Sequence, residues 1–290
     1  MIIVDYSGIA IASIFSQDRP EEIEEGLIRH MILNSLRRYN LKFRDKYGQM
    51  ILACDQSSWR KEVYPQYKAK RKSNRDESSL DWGHFFKIIN LVRDEIAENM
   101  NYPVVHTDRA EADDVIATLV ESTQEFGKHE DVMIVSSDKD FFQLQKHSNV
   151  KQFSPMKRDF VGPTDPVFYK FDHICRGDSG DGVPNVLSCD ESFTDGIRQK
   201  PMRAKKIEGW YKNHADDRLI DEMGIESYRN FCRNKTVIDL DCIPDDITSA
   251  IQDKYNLELT KEKGNVLTYL IEKRCNLLIN ATSDFLPTKA

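Results

Sequence analysis

The sequence predicts an α/β protein with a mostly parallel central sheet. Short runs of apolar and β-branched residues at 2–4, 50–54, 104–106 and 132–135 are typical of buried strands. The stretches between these runs are long enough for helices, which parallel strands need as right-handed connections. A second observation agrees: the runs ending at residues 4, 54 and 135 each lead into aspartate. Open α/β sheets carry their sites at the carboxyl ends of their strands.

Two of the connections between the predicted strands contain residues that favour a helix. Asp18 is a candidate N-cap, and Pro20 lies in the first turn of the helix that follows it. The expected apolar stripe of this helix is Ile23, Leu27, Met31 and Leu36. A second helix is predicted over residues 81–100. Its expected inner face is Phe85, Ile88, Ile89, Val92 and Ile96.

Acidic residues are expected to meet at one edge of the sheet. The strands are parallel, so their carboxyl ends lie together and bring together Asp5, Asp55, Asp138 and Asp140. The helix after residues 104–106 starts from the same edge and begins with Glu111, Asp113 and Asp114. Glu111 and Asp114 are three residues apart and share a helix face.

Such a cluster predicts a divalent metal site. Two carboxylates about 5 Å apart repel by roughly 3 kcal/mol at an effective dielectric constant near 20. Hard, oxygen-preferring ions relieve this repulsion, with Mg2+ or Mn2+ the first candidates. Each acid alone has a simpler explanation, because helix N-termini favour Asp and Glu and aspartate often caps a turn.

The segment after Asp55 is basic and lacks apolar periodicity. Residues 60–75 hold seven Lys or Arg and a single acid, Glu62. The aromatic residues Trp59, Tyr64 and Tyr67 are interleaved with these cations. This pattern suits a surface that holds phosphates by charge and bases by stacking. A solvated, flexible loop is the alternative.

The second half of the chain is less regular. Residues 153–162 indicate a turn or short hairpin, and residues 163–166 a domain junction, which divides the chain into 1–165 and 166–290. The loop at 176–187 contains several glycines with Asp178 and Asp181. Loops of this kind approach phosphates closely, and they also occur as plain turns. The rest, from residue 205 onward, indicates short helices and loops without a catalytic signature.

Composition excludes several other classes of protein. The 290 residues carry a net charge of -7 and six cysteines without C-x-x-C spacing, which argues against a zinc or redox site. No signal peptide or run of 18 apolar residues occurs, so we expect a cytoplasmic protein without a membrane span. A nucleotide-triphosphate loop is absent, and Asp5 is followed by Tyr6 and Ser7 rather than by the Asp-x-Asp of a phosphatase.

Six ordered blocks over roughly 180 residues carry a family resemblance. They are Val4-Asp5, Asp55, the basic stretch that ends in Tyr67-Lys68, Glu111-Ala112-Asp113-Asp114, Ser137-Asp138-Lys139-Asp140, and Gly177-Asp178 with Asp181 and Val183-Pro184. This pattern resembles the 5'-nuclease superfamily, which includes flap endonucleases, the 5'-nuclease domain of bacterial DNA polymerase I and phage ribonuclease H. Residues 150–156 and 228–244 resemble most closely the ribonucleases H of T-even-like bacteriophages.

The resemblance implies a PIN-like 5'-nuclease fold with helices on both sheet faces. It also implies a helical arch over about residues 57–80 and a helical C-terminal region with a helix-hairpin-helix-like DNA-binding loop at 176–187. The implied activity is a Mg2+-dependent 5'-to-3' exonuclease and flap endonuclease with ribonuclease H activity. It would remove RNA primers by two-metal phosphodiester hydrolysis, with Mn2+ as a substitute for Mg2+.

The resemblance assigns roles residue by residue. The ligands of the metal nearest the attacking water are Asp5, Asp55, Asp113, Asp138 and Asp140. The second metal is supported, directly or through water, by Glu111, Asp114, Asp178 and Asp181. Lys68 and Arg60 are expected to neutralise the scissile phosphate. The expected nucleic-acid contacts are Arg60, Lys61, Tyr67, Lys68, Lys70, Arg71, Lys72, Lys205 and Lys206.

This sequence departs from the family pattern at residues 187–196, which lie between the glycine-rich loop and the lysines Lys200 and Lys205. We therefore expect the binding of duplex DNA and of a monovalent ion to differ there. The expected partners are DNA and RNA–DNA hybrids with 5' ends, flaps or forks, a single-strand-binding protein and the sliding clamp. We expect a monomer in the cytoplasm of an infected cell and no clamp-binding peptide at either end. Two alternatives remain: a DNA-binding replication scaffold without catalysis, and a PIN-type ribonuclease, which would lack the arch and the Gly-Asp-x-x-Asp loop.

Overall fold

Six strands form one mixed sheet in the computed structural model, which describes residues 1–17, 23–78, 80–213 and 218–286. The side chains of residues 72–74 and 126 also lie outside the description. The strands are β1 Ile2–Asp5, β2 Met50–Ala53, β3 Val104–Val105, β4 Val132–Val135, β5 Val150–Ser154 and β6 Asp159–Val161. Their order is β3-β2-β1-β4-β5-β6, and all neighbours are parallel except β5 and β6. The predicted α/β class and mostly parallel sheet are confirmed.

Thirteen helices are named in the described part of the chain. In the first half they are α1 Tyr6–Ile14, α2 Glu25–Tyr47, α3 Arg60–Val63, α4 Lys70–Asp76, α5 Trp82–Asn99 and α6 Ala112–Gln124. In the second half they are α7 Pro166–Arg176, α8 Ala204–Lys212, α9 Leu219–Met223, α10 Ile225–Ile238, α11 Asp245–Thr260, α12 Val266–Glu272 and α13 Asn276–Ile279. Short 3-10 turns cover Glu125–Gly127, Asp140–Lys146, Leu240–Cys242 and Thr282–Phe285. None of these helices combines the length and the apolar composition that crossing a bilayer requires.

Both faces of the sheet are covered because successive strand residues point to opposite sides. Ile2 and Val4 belong to the core that includes buried residues of α1, α2 and α5. Ile3 lies between them in sequence and belongs to the opposite core, with residues of α6 and α11. In register, β1 ends with Asp5 beside Ala53, the last residue of β2. Because β1 pairs in parallel with both β2 and β4, the carboxyl ends of these three strands lie at one edge of the sheet.

The last helices contribute to the cores of the α/β part. Tyr269 and Leu270 of α12 are 1% and 0% exposed and belong to the core of α1, α2 and α5. Ile247 and Ile251 of α11 belong to the opposite core. A third cluster joins Tyr64 and Tyr67 to residues of α7, α8, α9 and α10. The division into residues 1–165 and 166–290 stays a prediction, and residues 240–286 pack across it.

Several local expectations need correction. Helix α1 was not expected, because its sequence is small or apolar on nearly every side and shows no stripe at helical spacing. At the start of α2 the buried face is shifted by one residue: Ile28 and Ile32 are 0% exposed, whereas the predicted Leu27 is 48% exposed. The predicted Leu36 is buried. The proposed cap Asp18 and Pro20 lie outside the described residues. Residues 153–162 do form a hairpin, but β5 starts earlier, at Val150, and is mostly buried.

The packing of α12 generates a stability prediction. We expect Leu270→Ala to lower the free energy of unfolding by about 2–5 kcal/mol, because it opens a cavity in a fully buried core site. The matched control is Leu267→Ala on the same helix, where the side chain is 42% exposed and the cost should stay within about 0.5 kcal/mol. Urea denaturation followed by far-UV circular dichroism measures both. Equal costs for the two variants would contradict this role of α12.

Candidate metal centre and nucleic-acid interface

Asp5 is fixed by hydrogen bonds at the end of β1. It is the N-cap of α1, and its Oδ1 accepts from Gly8 N at 2.9 Å. Its Oδ2 accepts from Ser136 Oγ, also at 2.9 Å, just after β4. A Cβ on Gly8 would lie 2.4 Å from that Oδ2. Gly8 and Ser136 therefore hold this carboxylate in place, and no motif marked either residue in the sequence.

Asp55 and Asp113 are linked through the first turn of α6. Asp55 Oδ1 accepts a hydrogen bond from the backbone N–H of Ala112 at 2.9 Å. Ala112 is the first residue of α6, and Asp113 follows it directly. The free N–H groups of a helix N-terminus favour such an acceptor. This contact therefore fixes the loop after β2 against the helix that carries Asp113.

Asp138 and Asp140 follow β4 through a short turn that Ser136 organises. Ser136 Oγ accepts from Asp138 N at 3.1 Å while it donates to Asp5, so it connects β1 with this turn. Asp138 Oδ1 in turn accepts from Asp140 N at 3.0 Å. Gln152 of β5 donates its side-chain amide to the Asp138 carbonyl at 2.5 Å. The turn is thus held from two neighbouring strands.

The carboxylates at this edge perturb one another. Burial is the main cause that raises the pKa of Asp5 to about 6, and the charge of Asp55 raises it further. Asp138 is accessible to solvent, but the surrounding protein and then the charge of Asp140 raise its pKa to about 6 as well. Burial also places the pKa of Asp113 well above its ordinary value, opposed by Lys68 and reinforced by Asp138. These mutual effects require the carboxylates to be close together, as the sequence predicted.

This oxygen-rich set fits a hard divalent cation. Within the described residues, no Lys or Arg forms an ion pair with Asp5, Asp55, Asp113 or Asp138. Their charge therefore lacks a direct counter-ion from the protein, whereas other buried acids of the chain have one. Mg2+ prefers carboxylate oxygens and water as ligands. The residues present are thus suited to hold it.

Glu111 and Asp114 have different surroundings, because the buried guanidinium of Arg60 lies against both. Arg60 Nη2 lies 2.8 Å from Asp114 Oδ1, and Nη1 lies 3.1 Å from Glu111 Oε2. Trp59 Nε1 and Glu111 N also donate to Asp114, so each of its oxygens has two donors. Asp114 is 0% exposed. The assignment of Asp114 to the second metal, directly or through water, stays a prediction; in this structure both of its oxygens accept from protein donors.

Arg60 itself is 2% exposed and does not face a substrate. Its Nε donates to the carbonyl of Val237 near the end of α10 at 2.8 Å. Burial opposes its charge, but Asp114, Tyr67 and Glu111 outweigh burial and raise its pKa. The expectation that Arg60 contacts the scissile phosphate is corrected: it is a structural cation that joins α6 to α10.

Lys68 contacts two of the candidate acids. Its Nζ lies 2.5 Å from Glu111 Oε1 and 3.4 Å from Asp181 Oδ2. Burial lowers its pKa, but Asp181, Glu111 and Asp113 raise it overall, so the ammonium is retained. The same two cations, Lys68 and Arg60, lower the pKa of Glu111 against the effect of its burial. Lys68 is therefore positioned beside Asp113 with its charge intact.

The glycine-rich loop docks on the residues around Lys68. Lys68 N donates to the carbonyl of Asp181 at 2.8 Å, and Tyr67 OH lies 2.8 Å from Asp181 Oδ2. Gly177 has a φ of 69°, and a Cβ there would lie 2.3 Å from the Val183 carbonyl oxygen. Only glycine fits this turn. The loop thus brings Asp178 and Asp181 from the C-terminal helices to the metal centre.

A histidine that sequence reasoning missed lies between two of the acids. His173 Nε2 is 3.0 Å from Asp140 Oδ1 and 3.9 Å from Asp178 Oδ2. Burial lowers the pKa of His173, but Asp140 and Asp178 outweigh this and raise it above its ordinary value. No sequence signal was available, because a single His in the last turn of α7 has no fixed spacing to Asp140.

The predicted nucleic-acid residues divide into buried and exposed groups. Trp59, Tyr64 and Tyr67 are 2–3% exposed, so the expected stacking surface is wrong. They interleave with cations in sequence but pack into hydrophobic clusters. The exposed residues are Lys61, Lys70, Arg71, Lys205 and Lys206. Arg71 also pairs with Asp181 at 2.5 Å, and the side chain of Lys72 lies outside the description.

A cleft that was not predicted opens beside the acids. Its volume is about 620 Å³, and it is lined by Asp5 and Asp138 together with Phe15, Trp82 and Met156. A neighbouring cleft of about 420 Å³ shares Met156 and Pro155 with it. That second cleft carries the basic residues Arg38, Lys42 and Arg158. The acidic centre therefore adjoins apolar side chains first and cations beyond them.

Family models of nucleases match both halves of the chain. Residues 1–171 match the family described as 5'-3' exonuclease, N-terminal resolvase-like domain, and residues 166–285 match T4 RNase H, C terminal. The ribonuclease H of Enterobacteria phage T4 is 31% identical over 98% of this chain and 95% of its own length. DNA polymerase I of Rhizobium leguminosarum is 31% identical over 53% of this chain but only 15% of its own length.

Solved structures show the same fold. The bacteriophage T5 D15 flap endonuclease, solved with DNA and metal ions, has a TM-score of 0.64 at 17% identity and covers 90% of this chain and 99% of its own. The T5 5'-exonuclease with bound zinc has a TM-score of 0.61 at 18% identity, covering 89% of this chain and 99% of its own. At these identities the likeness concerns the fold alone, and the predicted PIN-like 5'-nuclease fold is confirmed. The chain therefore belongs to the 5'-3' exonuclease family of nucleases, with the C-terminal region of the T4 ribonuclease H type.

Proposed function

We propose that this nuclease is a Mg2+-dependent 5'-to-3' exonuclease and flap endonuclease with ribonuclease H activity. It removes RNA primers and adjacent DNA from lagging-strand fragments during phage DNA replication. The observation that carries the proposal is the set of carboxylates Asp5, Asp113 and Asp138, whose pKa values are raised and which lack a Lys or Arg ion pair among the described residues. Structural acids in this chain are instead paired, as Asp114 is with Arg60.

The acids divide between two metal positions. The first ion would be held by Asp5, Asp55, Asp113 and Asp138. Asp140, which the family resemblance assigned to the first ion, would instead hold the second with Asp178 and Asp181, because Asp140 and Asp178 both lie beside His173. Two Mg2+ ions bound there would stabilise the attacking and the leaving oxygen of an in-line displacement at phosphorus. Lys68 is oriented by Glu111 and Asp181, and its ammonium neutralises charge on the phosphate being cleaved. Arg60 keeps Glu111 ionised and in place.

The surface beside the acids is suited to nucleic acid. The cleft of about 620 Å³ is large enough for a nucleotide and offers Phe15 and Trp82 as apolar walls. Arg38, Lys42 and Arg158 of the adjoining cleft lie where a phosphate backbone would continue. Lys61, Lys70, Lys205 and Lys206 are exposed and add positive charge to the surface. The helical arch that the family resemblance implies over about residues 57–80 remains part of this proposal.

The biological setting follows from the relatives. The phage T4 relative is a ribonuclease H, and the T5 structure holds DNA and metal ions. For this chain we therefore propose RNA–DNA hybrids and DNA 5' ends or flaps as substrates. The single-strand-binding protein and sliding clamp of the same replication machinery are the proposed partners, and the enzyme acts as a monomer in the cytoplasm of the infected cell.

Substitution of one proposed metal ligand tests whether cleavage depends on a bound metal ion. We expect Asp138→Asn to lower the cleavage rate at least about 100-fold, because it removes a metal-binding charge. The assay follows RNA-primed, nicked and 5'-flap duplexes on gels, with Mg2+ and with EDTA. The matched control, Asp253→Asn on an exposed position of α11, should cleave at the wild-type rate. Cleavage that survives both EDTA and Asp138→Asn would refute the proposal.

The role of Lys68 gives a second test. We expect Lys68→Ala to slow single-turnover cleavage about 100-fold at saturating substrate while changing the dissociation constant much less. Lys128→Ala is the control, since Lys128 is exposed before β4, at the opposite end of the sheet from Asp138. A Lys68→Ala enzyme with a normal single-turnover rate would exclude Lys68 from the chemistry.

The raised pKa values predict how metal and pH affect stability. Without metal, the folded protein binds protons at Asp5 and Asp138 up to about pH 6, above the pKa of the unfolded chain. Stability from these groups therefore falls as the pH rises from about 4 to about 6, and the penalty is fully present at higher pH. We expect Mg2+ to raise Tm more at pH 7.5 than at pH 5.

Melting temperatures of two variants test whether the response to Mg2+ comes from the acid cluster. Without metal at about pH 7.5, Asp138→Asn should raise Tm by about 2–4 °C, because it removes repulsion, and should reduce the response to Mg2+. Asp253→Asn should leave both values unchanged. Differential scanning fluorimetry provides these measurements. An unaltered response of the Asp138→Asn variant to Mg2+ would contradict metal binding at this position.

A further inference from the structure

We propose that His173 supplies a nitrogen ligand to the second metal position, together with Asp140 and Asp178, and that this position therefore prefers Mn2+ to Mg2+. The inference rests on the proposed function, because it concerns one metal position of that nuclease. It adds a donor of a different chemical type to a centre whose other candidate ligands are all carboxylates. The two metal positions would then differ in the ion that they select.

The distances fit ligands around one ion. His173 Nε2 lies 3.0 Å from Asp140 Oδ1 and 3.9 Å from Asp178 Oδ2. One ligand atom from each of the three residues lies within 4.8 Å of the other two. Ligands at about 2.1 Å from a shared octahedral ion lie about 3.0 Å apart when adjacent and about 4.2 Å apart when opposite. The separations from His173 Nε2 are therefore of the size that two ligands of one octahedral ion have.

The imidazole Nε2 lies beside two carboxylates without a well-directed hydrogen bond. His173 Nε2 is shielded from solvent and makes no hydrogen bond there. Its 3.0 Å contact with Asp140 is close but lacks the direction of a hydrogen bond. A buried polar atom without a hydrogen-bond partner costs free energy, and folded proteins rarely contain one. A metal ion between the nitrogen and the two carboxylates would satisfy it.

The ring is held in the orientation that this coordination needs. It stacks on Tyr169, one turn earlier in α7, with ring centroids 5.9 Å apart and an interplanar angle of 22°. Tyr169 in turn packs edge-on against Phe142, which follows Asp140 in the same 3-10 turn. The residues that orient His173 and the turn that begins with Asp140 are thus packed together. The imidazole is preorganised rather than free to turn away.

Asp178 is fixed relative to the same helix. Gly177 N donates to the His173 carbonyl at 2.9 Å, which ends α7 directly before Asp178. The positive φ of Gly177 then turns the chain, and Asp178 pairs with Val183 across the loop. His173 and Asp178 are therefore held on one rigid helix end, and Asp140 approaches from the sheet.

Ligand type decides which ion is favoured. Mg2+ takes oxygen ligands and gives up its water reluctantly, whereas transition metals accept imidazole readily. The first metal position offers only carboxylates, those of Asp5, Asp55, Asp113 and Asp138. We therefore expect it to discriminate weakly between Mg2+ and Mn2+. The position of His173 should bind Mn2+ more tightly. Loss of the nitrogen should lower Mn2+ affinity there about 10-fold or more.

The test is electron spin-echo spectroscopy of Mn2+ bound to the metal-free full-length chain at about pH 8. We expect modulation from a coordinated 14N nucleus in the wild type. Labelling the wild type with 15N-histidine should replace this signal with that of 15N, so the result does not depend on any variant being folded. His173→Leu should abolish the modulation and weaken one of two Mn2+ binding events in equilibrium titrations. The matched control is His147→Leu, because His147 also contacts a carboxylate, Glu121, at 3.2 Å.

The outcomes separate this inference from the proposed function. Absence of nitrogen modulation in wild-type protein with both positions filled would overturn the role of His173, and His173 would then be only a counter-ion of Asp140. If the same preparation still cleaved RNA-primed duplexes with Mg2+, the proposed function would stand. Nitrogen coordination in a chain that cleaves no nucleic acid would instead support the ligand and overturn the proposed function.

Discussion

Electrostatic repulsion among carboxylates at one sheet edge is the constraint on which the rest of the structure depends. Parallel strands β1, β2 and β4 deliver Asp5, Asp55 and Asp138 to that edge, and α6 starts there with Asp113. Hydrogen bonds from Gly8, Ser136 and Ala112 hold these side chains but do not neutralise them. The protein thus fixes a high density of negative charge in place before any cation binds. This preorganisation is what gives a divalent ion its binding energy.

The protein neutralises only part of its acidic cluster, and the division has a structural basis. Arg60 saturates Asp114 and holds one oxygen of Glu111, while Lys68 takes the other oxygen of Glu111. A buried guanidinium suits this task because its planar fork reaches several acceptors at once. The four residues 111–114 therefore contain two kinds of acid. Asp114 stabilises the fold, whereas Asp113 forms no ion pair with a Lys or Arg among the described residues.

The sequence predicted the sheet and the acid edge because both depend on short-range patterns. An apolar run followed by aspartate, as at residues 50–55, is visible without knowing any contact. Helix α1 was missed because its exposed positions, Gly8 and Ala12, are small rather than charged, so the sequence shows little contrast with the buried face of Tyr6, Ile9, Ala10 and Ile14. The burial of Arg60 was missed because its partners lie 51 and 54 residues away. The high Lys and Arg content of residues 60–75 made that segment resemble a solvated surface. His173 needed the three-dimensional proximity of Asp140, which no spacing rule supplies.

The hydrogen bond from Arg60 to the Val237 carbonyl has a consequence for how such proteins can be recombined. One side chain from the first half of the chain simultaneously serves α6 and the end of α10. A chimaera that joins the first half of this enzyme to the helical half of a relative must therefore keep an acceptor for Arg60 at the end of α10, besides the apolar contacts of α11 and α12. Exchange of either half is thus limited by a buried charge as well as by the shared cores.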